Sequence, residues 1–134
     1  MTAKVTYSGG HGTNCSHMGS GNFSITDTSL DKHFLGHAIS PTNKVATGLA
    51  SCIFSVMGIQ ARELELDLGN PVVEDIEHME ANPGRITRIG VNLNMPQIIS
   101  DKQRKILGHT VSTCPLHYTL HPDIVRIITF QWGL

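Results

Sequence analysis

An α+β fold with antiparallel strand pairing is predicted by three features of this sequence. The element order reads strand-rich, helix, hairpin, helix, strand, not the alternating βαβ of a parallel sheet. A long helix pattern occupies the centre, with Val45, Leu49, Cys52, Ile53, Val56 and Ile59 at three- and four-residue steps. Residues 86–95 and 124–132 alternate apolar with polar side chains, as half-buried strands do. At 134 residues the chain is expected to be one domain, residues 1–134.

Taken in order, Val5 and Tyr7 alternate with polar neighbours and suit a strand. Gly9-Gly10 and Gly19-Ser20-Gly21 mark turns, and Phe23, Ile25 and Leu30 point to a second strand or hairpin arm. Ser40 caps a helix, and Pro41 fits its first position, where a missing N–H costs nothing. That helix is predicted over 41–64. Ala46, Ala50, Phe54 and Met57 widen its apolar surface, so burial on most sides is expected, inside a dimer or a wrapping sheet. Gly69-Asn70-Pro71 breaks the chain, and 72–79 reads as a strand with one wet face. Asn82-Pro83-Gly84 turns it into a hairpin. Ile89, Val91, Leu93 and Met95 then lie on one face, with Arg88, Asn92 and Asn94 on the other. Ser100-Asp-Lys-Gln103 is a capping-box pattern opening a helix over 101–113, with Ile106, Leu107 and Val111 available for packing. Cys114-Pro115 lies at its end, and His121-Pro122-Asp123 turns the chain into a last strand. That strand carries Ile124, Ile128, Phe130 and Trp132 on one face.

A net charge of −1 gives no electrostatic reason to expect nucleic acid or an anionic membrane. Aromatic content of 5% leaves little for base stacking. No apolar run looks long enough to span a bilayer. No signal peptide precedes the cysteines, so a cytoplasmic chain with reduced thiols is expected. Eight histidines, at 11, 17, 33, 37, 78, 109, 117 and 121, are too scattered to form one metal motif. Neither a nucleophile elbow, a phosphate loop nor a dinucleotide fingerprint is present, and no cofactor or metal is expected.

Chemistry therefore rests on the thiols. Cys52 lies within the central helix and Cys114 at the end of the second one. One reading makes each a small core residue, made inert by burial among Ile, Phe and Val. The other is redox work. A Cys52 thiolate attacks a peroxide oxygen, and Cys114 resolves the sulfenic acid to a disulfide. That requires Cα atoms within roughly 7 Å of each other. Cys52 has no Lys or Arg within a helical turn, so any activating cation must come from elsewhere in the fold. His117 is placed to tune Cys114 or shuttle a proton, or is a loop histidine. His11-Gly-Thr-Asn-Cys15-Ser-His17 offers three soft-metal ligands, but the spacing matches no zinc pattern, and exposed loop residues are expected.

Ser40-Pro-Thr-Asn-Lys-Val-Ala-Thr-Gly-Leu-Ala-Ser-Cys52 resembles the helix motif of the OsmC/Ohr family, in which an Asn/Ser-Pro start leads to Ala-x-Cys. Cys114-Pro-Leu-His-Tyr-Thr-Leu-His-Pro-Asp123 is similar to that family's second cysteine motif, and Ile-Thr-Phe-Gln-Trp132 to its closing strand. The resemblance implies an OsmC-like fold, with antiparallel sheets wrapped around two central helices in an intertwined homodimer. It implies thiol-dependent reduction of organic hydroperoxides, with Cys52 peroxidatic, Cys114 resolving and a thiol reductant as partner. Active family members add an Arg from the N-terminal β region and a Glu near the helix start. Here Thr42 stands at that helix position, and no Arg occurs between Thr6 and Leu35. His17, His37 and Lys44 are candidate substitutes, weaker anchors than a fixed guanidinium. The alternative is a weak or non-enzymatic OsmC-fold protein that binds a small apolar ligand at a dimer interface or senses redox state.

Overall fold

The structure, a computed structural model, describes residues 2–9, 12–27, 38–81 and 84–133. Its two compact units are Met1–Val45 and Ala46–Leu134. Gly10, His11, Leu30, His37, Asn82 and Pro83, which figure in the sequence expectations, lie outside the described residues.

The N-terminal unit holds an antiparallel sheet of β1 (Ala3–Gly9), β2 (Gly12–His17) and β3 (Phe23–Thr26), in that order. Val5 and Tyr7 fall in β1, and Phe23 and Ile25 in β3, as expected. The middle strand is a correction, because Cys15 and His17 belong to β2 and not to a loop. Gly-Thr-Asn-Cys-Ser-His carries no apolar alternation, so only pairing with both neighbours makes it a strand. Thr13 and Thr26, opposite each other, join their hydroxyls across the pair.

Ser40 and Pro41 open α1 (Pro41–Glu63) as anticipated. The Ser40 hydroxyl accepts from the Asn43 N–H at 3.1 Å, and the Asn43 side chain accepts from the Ser40 N–H at 3.2 Å. This reciprocal pair satisfies two donors at the helix start. Within the chain α1 buries one stripe, formed by Ala46, Leu49, Ala50, Ile53, Met57 and Ala61. In the single chain Ile59 is 64% exposed and Ser51, Ser55 and Gly58 face solvent. The expectation that no segment could span a bilayer is also corrected. By length and composition α1 passes, with an 18-residue stretch of mean hydropathy 1.3. Its Gly, Ala, Ser and Thr interrupt the large apolar side chains without lowering the mean.

In the C-terminal unit, β4 (Val72–Ala81), β5 (Gly84–Met95) and β6 (Val125–Trp132) form a second sheet in that order. β4 and β5 are the anticipated antiparallel hairpin. Ile89, Val91, Leu93 and Met95 are buried on one face of β5, as the alternation predicts. Ile86 is buried too, although it lies out of phase with them. His78 pairs with Arg88 while Met79 pairs with Ile86, so Thr87 is the extra residue of a bulge that shifts the phase by one.

β6 runs parallel to β5, which corrects the expectation of wholly antiparallel sheets. The connection carries α2 (Asp101–Val111) and α3 (Pro115–Thr119), a crossover that returns the chain to the end where β5 began. The capping box of α2 is complete. Ser100 Oγ accepts from the Gln103 N–H at 3.2 Å, and Gln103 Oε1 from the Ser100 N–H at 3.1 Å. The guanidinium of Arg104 lies 5.4 Å over Trp132, which stacks on Phe130, so α2 is held to β6 by an aromatic platform. Leu49, Ile53, Met57, Ile89, Leu93, Met95 and Leu107 are the largest fully buried apolar side chains.

A candidate thiol site

Cys52 and Cys114 meet in the C-terminal unit. Cys52 lies midway along α1, half-buried, and Cys114 immediately precedes α3 with no exposed surface. Both are free thiols, and their side chains lie close enough to influence each other. Gly48 lies one turn before Cys52, and a Cβ there would come within 3.3 Å of Leu116 Cδ2, so the glycine leaves room for that side chain. Neither Gly48 nor Leu116 was singled out from the sequence; a glycine one turn before a helical cysteine was the available signal.

The electrostatics of the pair are unequal. Burial pushes the Cys114 thiol above its ordinary value, and the neighbouring Cys52 thiol adds to the shift. The backbone N–H groups of His117 and Leu116 face the sulfur and act the other way, but burial outweighs them. Cys114 therefore keeps its proton, and can donate it to the Cys52 sulfur when that sulfur is a thiolate.

The raised value has a testable sign. Between the ordinary 9.0 and the higher folded value, the folded chain holds a proton that the unfolded chain has lost. This contribution to stability is complete below the ordinary value and disappears as pH climbs through the folded one. Iodoacetamide labelling of Cys114 in the native chain should have a pH midpoint above that measured in urea. Coincident midpoints would remove the asymmetry.

The other expected site residues fall elsewhere. His17 Nδ1 lies 2.7 Å from Ser20 Oγ and accepts the Ser20 N–H at 3.1 Å, within the N-terminal unit. Thr42, in the first turn of α1, bonds to Ser40 Oγ at 3.1 Å. Lys44 donates to Ser24 Oγ at 2.6 Å. Cys15 lies 3.7 Å from Thr13 Oγ1, and no group of three metal-ligating side chains occurs among the described residues. His117, half-buried on α3, is the auxiliary residue placed beside the pair, through its backbone N–H.

The chain superposes on a Psychrobacter arcticus 273-4 protein assigned to osmotic stress induction and detoxification response. The TM-score is 0.93 at 37% identity, covering 98% of this chain and 96% of the other. The chain belongs to the OsmC/Ohr family. Two further structures show the same OsmC-like fold at low identity. One is the organic hydroperoxide resistance protein OhrB of Bacillus subtilis, with TM-score 0.68, 15% identity and 98% of each chain covered. The second, from Vibrio cholerae O1 biovar eltor, is assigned to organic hydroperoxide resistance and holds captopril in one of its active sites. Its TM-score is 0.72 at 17% identity, covering 97% of this chain and 91% of that one. No family model and no curated protein sequence matches this OsmC/Ohr chain.

Proposed function

We propose that this OsmC/Ohr chain reduces organic hydroperoxides with the Cys52–Cys114 pair. The observation that carries the reading is the juxtaposition of a half-buried thiol and a fully buried one, close enough to interact. Cys52, the more accessible sulfur, attacks the outer peroxide oxygen as a thiolate. The O–O bond breaks, the alkoxide takes a proton and leaves as alcohol, and Cys52 becomes a sulfenic acid. The Cys114 sulfur then displaces hydroxide from the sulfenic sulfur, which leaves as water with the Cys114 proton, and a disulfide forms. An external dithiol reduces it back to two thiols. The OhrB and Vibrio cholerae names support the substrate class. The proposed active form is a homodimer, because Ile59, Val5, Tyr7, Phe23 and Ile25 are exposed in the single chain and a second copy would cover them.

Intact-mass analysis after one equivalent of cumene hydroperoxide tests the chemistry. The expected product has lost two hydrogen atoms per chain, mapped by digestion to a Cys52–Cys114 disulfide. The same sample under non-denaturing conditions should show paired copies. Two unmodified thiols would reject the peroxidase reading.

A further inference from the structure

A pocket lies between α3 and the start of β6. It has a volume of about 310 Å³ and is lined by His117, Tyr118, Leu120, Pro122 and Arg126. Its chemistry is that of a ligand site, with apolar walls and a few converging polar groups. Arg126, half-buried on β6, spends one nitrogen on two neutral carbonyls, those of Leu120 at 2.9 Å and His121 at 3.1 Å. Nη1 has no partner among the described residues, and Nε is buried without one. No carboxylate pairs with Arg126 among those residues; nearby Asp123 instead faces His121 at 3.7 Å. His117 Nδ1 is likewise buried with no hydrogen-bond partner, and its ring meets Tyr118 edge-on. A half-buried guanidinium balanced only by carbonyl dipoles is a cation awaiting an anion.

We propose that this pocket binds a small organic carboxylate, its charge held by Arg126 and its apolar body lying against Tyr118, Leu120 and Pro122. The planar fork of arginine matches a carboxylate, whereas a single cation poorly balances a phosphate dianion. A volume near 310 Å³ suits a one-ring acid. The proposal stands on these residues alone and does not depend on peroxide chemistry.

Titrating the reduced, full-length protein with benzoate, and with benzamide as its neutral counterpart, tests it by amide chemical-shift mapping. Benzoate should saturate with shifts confined to residues 117–126, and bind at least about tenfold tighter than benzamide. Arg126→Lys, which keeps the charge but loses the fork, should weaken benzoate several-fold and leave benzamide unchanged. His117→Phe should lower benzoate affinity without moving the shifts elsewhere. Equal affinity for the two probes, absence of saturation, shifts outside this segment, or displacement of benzoate by equimolar inorganic phosphate would each overturn the site. The wild-type comparison decides the matter even if Arg126→Lys does not fold.

Discussion

Cys52→Ser should end peroxide consumption, lowering its rate by at least about a hundredfold. A serine hydroxyl at the same place on α1 stays protonated and cannot attack a peroxide oxygen at neutral pH. Cys114→Ser should behave differently. It should consume one equivalent of cumene hydroperoxide per chain and stop, leaving Cys52 as a sulfenic acid that dimedone captures. The contrast follows from the inequality of the two thiols, one half-buried and the other with no exposed surface. Steady consumption by Cys52→Ser would sink the mechanism. Dimedone capture on Cys114 in that variant would reverse the two roles.

Leu49→Ala should destabilise the chain by about 3 kcal/mol, the usual cost of emptying a buried leucine site. Leu49 has no exposed surface and belongs to the buried stripe of α1. For a chain of this size the melting temperature should fall by roughly 10 °C. Urea unfolding would read the change as a lower midpoint with an unchanged slope. The thiol chemistry of the molecules that remain folded should persist, because Cys52 lies off that stripe. A loss below about 1 kcal/mol would mean that the stripe collapses around the gap and is not tightly packed.

What could be read from the sequence was what local physics decides. The Ser40–Pro41 start, the Ser100/Gln103 box and the alternation of β5 each depend on residues a few positions apart. All three are present in the folded chain. β2 was missed because Gly12–His17 has no apolar period, and α3 because five residues are too few to show one. The direction of β6 depends on how the segment 96–124 travels, which no strand pattern encodes. Thr87 shows the same limit on a smaller scale, since a bulge is defined only against its partner strand.

The site divides in the same way. Cys52 and Cys114 were legible as chemistry and as family motifs, but their juxtaposition joins two elements far apart in sequence, which no local pattern encodes. The absence of arginine between Thr6 and Leu35 leaves His17, His37 and Lys44 as the candidate substitutes, and His37 lies outside the described residues. His17 and Lys44 each have a hydrogen-bond partner close by in their own unit. Arg126 escaped notice because nothing in the spacing of β6 marks it as a cation without a counter-charge.

The parallel pairing of β6 also sets an order of events during folding. β4 and β5 can zip from the Ala81–Gly84 pair, a local closure. β6 can join only after the whole of 96–124 has looped back, and Cys114 rides within that loop. The two sulfurs therefore come together late, as the sheet gains its final strand. Until then Cys15, Cys52 and Cys114 are separate thiols on an incompletely folded chain. A nascent chain meeting an oxidant during that interval is the form most open to wrong disulfides.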